Sequence, residues 1–426
     1  MKSTTTLVAV LASATALIAA PASAQSYGQE PAQRQVASSA QQAPKPQNPN
    51  ALKVHSPKVS SGAAKAITAL QKAVEAKDSA TIPAALEAAR AVAKTPGDRY
   101  AVATLQLKAA ADAKNDTAIA SGLEAVLASG DVAEEEKFGL YINLAATYEG
   151  LKQKDRAEQA YRQALQHNPN SVEAMAGLAE ANVADGQTKE AIALLRKGIA
   201  LKAASGAKAD ENWYRRAVAI AYKAKDPLAV TASREWLEAY PNATSWHDAL
   251  GIYEQFSNLD EDRLLELLRL RQAANVLESR DYAGFADIAI RKGLSGEAKA
   301  VLEQGFAANA IERSDPTFAE LYASATQKAK GDRASLPTAP EAGSTARQTM
   351  NLGDAWYGYG DYPKAIEIYR SALAMPGADP DAINLHIGMA LARSGDKAGA
   401  IAALEKVGGT KADLARYWLI YIKTKA

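Results

Sequence analysis

Cysteine is absent from all 426 residues. That removes disulfides, thiolate metal sites and a cysteine nucleophile together. Histidine occurs four times, at His55, His167, His247 and His386, and none stands in an H-E-x-x-H arrangement. No Walker-type phosphate loop, no dinucleotide-binding glycine pattern and no G-x-S-x-G elbow occurs. Charge of one sign is missing too: 49 Lys and Arg stand against 48 Asp and Glu. Nucleic-acid binding calls for a basic face or stripe, and anionic lipid calls for a polybasic segment. Past the N-terminal stretch, no apolar run approaches the roughly 18 residues of a membrane-crossing helix. Phenylalanine is scarce, 5 residues against 17 tyrosines, so the aromatic surface carries hydroxyl tips. These absences predict a protein that is not an enzyme and needs no cofactor or metal.

The N-terminus combines Lys2 with an apolar stretch over residues 7–20 and an Ala22-Ser23-Ala24 site. That pattern is a cleavable export signal over residues 1–24. Its shortness and alanine content argue against a membrane anchor, and the mature protein is expected to be soluble and exported. Residues 25–61 are rich in Pro, Gln, Ala and Ser, with Pro31, Pro44, Pro46, Pro49 and Pro57. Such a composition buries too little surface to offset its ordering entropy, so this segment reads as disordered.

From Ala63 onward the pattern is helical and periodic. Tyr141, Leu144, Ala145 and Ala157 recur as Met175, Leu178, Ala179 and Ala191, each pair 34 positions apart. Tyr148, Tyr161, Ala164 and Pro169 complete the first of these stretches. Related patterns run through Trp213, Ala217, Ala229 and Trp236, through Tyr282, Phe285, Ala286, Ala298 and Leu302, and through Gly353, Trp356, Gly360, Ala365 and Tyr369. Small residues mark close helix approaches, and Pro169 and Pro241 end second helices because proline cannot continue the ladder. Gly150, Gly186, Gly360 and Gly395 are expected in the turns inside helix pairs, where glycine tolerates left-handed backbone.

This set resembles the tetratricopeptide repeat family, whose units of about 34 residues carry a large residue, Leu, a small residue, Tyr, Ala, an aromatic, Ala and Pro. The resemblance implies an all-α, right-handed α-α superhelix of about nine helix-turn-helix units. The sixth unit is irregular, and a last helix over residues 411–423 is expected to cap the stack. The divisions expected are a solenoid over 62–332, a loop at 333–345 holding Pro337, Pro340 and Gly343, and further units over 346–426. The resemblance also implies a protein-protein interaction scaffold, binding a peptide or helix of a partner protein in its concave groove. Matching first helices to the family's inner face places Tyr214, Tyr222, Met350, Asn351, Asp354, Tyr357, His386 and Met389 toward that groove. Family members that grip a C-terminal carboxylate use Lys, Arg and Asn on this face. Here Asn143 matches one such position, but Ile142, Ala146 and Ala176 are apolar, so a carboxylate clamp is not expected and a more apolar segment is. The compartment expected is the periplasm of a Gram-negative bacterium. Alternatives are a self-associating array joined through its irregular middle and last helix, and a component of a secretion or polysaccharide-export assembly.

Other conspicuous residues have plainer readings. The acidic clusters at 134–136 and 260–262 precede helices, where carboxylates meet free N–H groups and a favourable dipole. His167 ends a helix. The leucines at 264, 265, 267, 268 and 270 read as core of the irregular unit.

Overall fold

A computed structural model describes residues 56–424. The export signal and residues 25–55 of the Pro/Gln/Ala-rich segment lie outside the described residues. Among the described residues every regular element is a helix, which is the fold class expected. The chain divides into two compact units at residue 209. The 333–345 loop lies within the second unit.

The first unit contains α1 (Ser61–Glu75), α2 (Ile82–Val92), α3 (Pro96–Asp112), α4 (Asp116–Leu127), α5 (Glu134–Gly150), α6 (Lys154–His167), α7 (Val172–Ala184) and α8 (Thr188–Ala204). Capping fixes several starts. Thr95 and Asp98 form a reciprocal box ahead of α3, with Pro96 at its first position, and Ser171 accepts from Ala174 N at α7. Ala145 and Ala164 are fully buried and Ala157 almost so, as the close-approach reading requires. Gly177 shows the constraint most sharply: a Cβ there would lie 2.1 Å from Cζ of Tyr161.

Each regular pair turns through one left-handed residue. In four turns it is glycine, at Gly186, Gly293, Gly360 and Gly395, and in four it is lysine, at Lys77, Lys114, Lys152 and Lys225. Gly150 is an exception to expectation, being the last residue of α5 while Lys152 takes the left-handed position. A lysine there accepts a cost of about 1–2 kcal/mol that glycine avoids.

The edge of the Pro/Gln/Ala-rich segment belongs to the fold. Ser60 donates from its backbone N to Asp98 Oδ1 at 2.7 Å and from its hydroxyl to Oδ2 at 2.9 Å. Burial alone would raise the Asp98 carboxyl, but these bonds and those from Thr95 outweigh it and hold its pKa at about 2.

The second unit contains α9 (Glu211–Lys223), α10 (Leu228–Ala239), α11 (Ala243–Phe256), α12 (Glu261–Ala274), α13 (Ser279–Arg291), α14 (Ser295–Ala307), α15 (Pro316–Ala329), the short α16 (Asp332–Ser335), α17 (Ala346–Gly358), α18 (Tyr362–Leu373), α19 (Pro380–Ser394), α20 (Lys397–Leu404) and α21 (Ala412–Thr424). The sixth pair, α11 with α12, is the irregular one, and no left-handed residue joins it. Instead α12 is enclosed on all sides: every residue from Leu265 to Arg271 is buried. The last helix, α21, packs on α20, returns to α10, α12 and α19, and meets α11 through aromatic side chains. Arg234 pairs with Asp413 at 2.7 Å, Tyr417 meets Tyr253 edge-on at 5.5 Å, and Trp246 meets Tyr421 at 6.5 Å. Tyr417 and Trp418 are fully buried within this one chain.

Two glycines in helices of this unit separate packing from propensity. A Cβ on Gly353 would lie 2.4 Å from Tyr369, whereas one on Gly251 would meet nothing within 4 Å. Gly353→Ala should lower stability by about 1–3 kcal/mol through overpacking, and Gly251→Ala should raise it by about 0.5–1 kcal/mol. Denaturant melts of the two variants check this, and a neutral Gly353→Ala would contradict the packing.

Candidate functional site: a charged pocket around one helix

Helix α12 carries leucines at the helical spacing of a core element, and Leu267 and Leu270 are fully buried. Each such side chain stabilises the fold by about 1.5–3 kcal/mol. Between the leucines lie Glu266, Arg269 and Arg271, each 4% exposed or less. Charged groups so deep must be paired, because desolvating an ion costs several kcal/mol.

The pairing joins α12 to most of its surroundings. Arg269 makes a two-pronged contact with Glu297 of α14, Nε and Nη2 each donating at 2.7 Å. Its Nη1 donates to Asp354 of α17 at 3.1 Å, and its guanidinium lies 4.8 Å from the Tyr357 ring centre. Arg271 points elsewhere, to Glu254 of α11 at 2.6 Å and Asp281 of α13 at 3.0 Å. Glu266 Oε1 accepts from Lys411 at 2.7 Å and lies 3.1 Å from His386 Nε2 of α19. His386 Nδ1 lies 2.8 Å from Asp354 Oδ1, within ion-pair reach but off the hydrogen-bond direction. Tyr369 donates to the same Asp354 oxygen at 2.8 Å.

The electrostatics follow from these contacts. Burial works against the Asp354 anion, but His386, Arg269 and Tyr369 outweigh it and hold the carboxyl well below the usual carboxylate range. Burial likewise disfavours protonated His386, yet Asp354 and Glu266 raise its pKa to about 9. Tyr369 is pushed far up by burial and by the Asp354 charge.

Beside this network lies a cavity of about 550 Å³. Its inner wall is Glu266, Arg269, Met350, Asp354 and His386. Its rim holds Asp260, Asp262, Arg263, Lys292, Arg347, Asn351, Asp379 and Lys411. Rim charges are paired: Asp262 accepts from Arg347 at 2.6 Å and also contacts Lys292. Burial would raise Asp262, but those two cations outweigh it and lower its pKa. Asp260 is the cap of α12, accepting from Arg263 N at 2.9 Å, and Asp379 caps α19. The helix-start reading of the 260–262 cluster therefore agrees with the structure. Among the described residues no group of acids and histidines is arranged to hold a metal ion.

Of the eight residues placed toward a groove from sequence, Met350, Asn351, Asp354 and His386 line this cavity. Tyr357 is buried under Arg269, and Met389 is 1% exposed and sealed in the core. Tyr214 stands edge-on to Tyr240 at 5.8 Å, and Tyr222 is 44% exposed and donates to Gln255 at 2.8 Å. Neither tyrosine lines the cavity. The pocket is also ionic, where the sequence suggested an apolar groove. Sequence reasoning credited the leucines of α12 and passed over the charges between them, which bring Glu266, Arg269 and Lys411 to the site. The signal present was that Glu266, Arg269 and Arg271 interrupt a run of leucines too dense for a solvent-facing helix.

The helix pairs, the small residues at their crossings and the left-handed turns define an α-α repeat protein. Residues 140–209 and 350–410 each match the tetratricopeptide repeat family. The chain therefore carries tetratricopeptide repeats over these two stretches, with α5–α8 and α17–α20 as the matching pairs. Among curated proteins none matches it. Solved structures resemble it at low identity. A crystal structure of MamA shares 15% identity at a TM-score of 0.27, covering 47% of this chain and 96% of that one. A tetratricopeptide repeat protein from Parabacteroides merdae shares 13% at 0.28, covering 69% and 99%. YrrB, described as having an unusual peptide-binding site, shares 16% at 0.20, covering 60% and 91%. Likeness at this level says nothing of what the present chain binds.

Two outcomes test the network. Arg269→Met should cost about 3–5 kcal/mol, because Glu297 and Asp354 stay buried without their partner, whereas Asp262→Asn on the half-exposed rim should cost under about 1 kcal/mol. The His386 pKa is above its unfolded value of about 6.5. Its stabilisation is therefore fully present below pH 6.5 and is lost as pH rises through about 9. The stability gap between the natural chain and His386→Gln, measured by urea melts, should shrink across that window. A gap that widens with pH would contradict the pairing.

Proposed function

We propose that this chain is a non-catalytic interaction scaffold of the cell envelope that holds a segment of a partner protein at the α12 pocket. The observation that carries this reading is the pocket itself. It is built from helices far apart in sequence, and nearly all its charged groups are already paired with one another. Groups so committed are poor general acids, bases or nucleophiles, since each would have to break a buried pair to react. They are well suited to holding a shaped, polar wall in place. The repeat family supports a protein as the ligand. Export to the envelope is supported by Lys2, the apolar stretch over 7–20 and the Ala22-Ser23-Ala24 site. Within the described residues no helix is long and apolar enough to cross a membrane.

Asn351 is exposed at the rim, and Lys397 is exposed at the start of α20. A photo-crosslinking amino acid placed at each position, in cells of the source organism, separates the pocket from general surface. The reading predicts one discrete protein adduct from position 351 and none of that mass from 397. Equal adducts from both positions, or none from 351, would overturn it.

A further inference from the structure

Five arginines among the described residues are buried or partly buried. Four of them, Arg234, Arg263, Arg269 and Arg271, reach a carboxylate at 2.6–3.4 Å. Arg393, in the last turn of α19, reaches none. Its Nε donates to the Tyr362 hydroxyl at 3.1 Å, and its guanidinium lies 5.7 Å from the centre of that ring. Burial opposes the charge, and the oxygens of Tyr357, Tyr362 and Tyr421 offset it and keep the guanidinium's pKa high. The rings are themselves held in place. Tyr362 meets Tyr357 edge-on at 5.3 Å, Tyr357 lies under Arg269, and Tyr421 meets Trp418 at 5.3 Å.

The dipole at the end of α19 favours a cation, but it does not use the donors. Both Nη nitrogens of Arg393 make no hydrogen bond. They are also open to solvent. Among the described residues, the side-chain polar atoms sealed without a partner belong to Asn182, Glu266, His386 and Trp418, and Arg393, Tyr362 and Tyr421 are each partly exposed. The Tyr362 hydroxyl accepts from Nε and keeps its own hydrogen to donate. A guanidinium with two free nitrogens, oriented by a tyrosine, is arranged for a two-pronged contact with an oxyanion. Charge and shape decide which one. A single cation without a counter-ion balances one negative charge, so a carboxylate fits, whereas a phosphate dianion would bring a second charge without a partner. The guanidinium is half-buried among tyrosines, so the carboxylate must arrive on a slim stem. An acidic side chain supplies one or two methylenes, whereas a chain-terminal carboxylate is attached directly to backbone.

We propose that Arg393, with Tyr362, forms a docking point for an acidic side chain of a protein partner. Tyr362 and Arg393 each stand two residues from a left-handed turn glycine, Gly360 and Gly395, so the point lies at the turn end of the helix pairs. Neither residue lines the α12 cavity. The proposal rests on the reading of this chain as a scaffold for protein, but not on occupation of that cavity.

The full chain labelled with ¹⁵N at arginine reads the contact through the Arg393 Nε–H signal, assigned by its loss in Arg393→Lys. Arg370, exposed and without a carboxylate partner, reports general counter-ion binding. At fixed ionic strength the probes are N-acetyl-glutamate N-methylamide, its glutamine counterpart, N-acetylglycinate and inorganic phosphate. The blocked glutamate should shift Arg393 saturably, at least about fivefold more tightly than phosphate or N-acetylglycinate, while Arg370 drifts without saturation. The glutamine probe should leave Arg393 unmoved. No shift with the blocked glutamate, an equal shift with the glutamine probe, tighter binding of phosphate or N-acetylglycinate, or matching drift at Arg393 and Arg370 would each overturn the proposal. In urea melts Arg393→Gln should match or exceed the natural chain, because it removes a desolvated charge that has no counter-ion. A midpoint lowered as far as that of Arg269→Met would mark a structural cation and would also overturn it. A failed titration would leave a discrete crosslink at position 351 intact, while a lost crosslink with the titration intact would sink only the pocket reading.

Discussion

The second unit depends on ion pairing inside helix α12. A helix buried on all faces is ordinarily apolar all round. This one places Glu266, Arg269 and Arg271 among its leucines, and each charge reaches a different neighbour. Arg269 holds α14 and α17, Arg271 holds α11 and α13, and Glu266 holds α19 and the turn before α21. Nonpolar packing alone tolerates sliding of one helix past another, whereas two-pronged guanidinium contacts fix register and rotation. Swapping such pairs for well-packed apolar groups is often neutral or stabilising. Their retention here therefore fits a role in specifying one arrangement and shaping the adjoining cavity, more than a role in raising total stability.

The two units solve the same packing problem differently. In the first, alanines at the crossings and large residues between pairs suffice, with Leu123, Ala145, Ala164 and Met175 all fully buried. In the second, the sixth pair abandons the repeat, and α12 becomes a centre around which later pairs and the last helix gather. The return of α21 onto α10, α11 and α12 follows from its two-sided apolar character. Leu414, Tyr417, Trp418 and Ile422 are all buried, far more than a simple end cap on α20 would need.

Much of this was legible in the sequence. The offset linking Tyr141 to Met175, the small residues and the terminating prolines report local spacing, and local spacing decides which helices form and how a pair crosses. The irregular sixth unit was visible as well, in its missing repeat residues and dense leucines. Less legible was what depends on pairs distant in sequence. Asp354 and His386 were placed toward a groove, and they do line a cavity, but their partners Arg269 and Glu266 lie 85 and 120 positions away. Tyr357 lies beneath Arg269 of α12 and Met389 is sealed in the core, and neither burial can be read from the spacing within one repeat unit. The division at residue 209 went unread for a similar reason. The chain there shows no proline-rich signal, whereas the conspicuous 333–345 loop is tied back into its unit by Trp356 donating to Pro337 O at 3.0 Å.

Native-state hydrogen exchange, followed by mass spectrometry over the second unit, tests the central role of α12 most directly. If its buried ion pairs hold the neighbouring helices together, residues 261–274 should be the slowest segment of the unit and should exchange only through its global opening. The α15 segment, which bears few buried side chains, should exchange well before it. Exchange of residues 261–274 as early as α15, while α17 and α19 remain protected, would contradict the account.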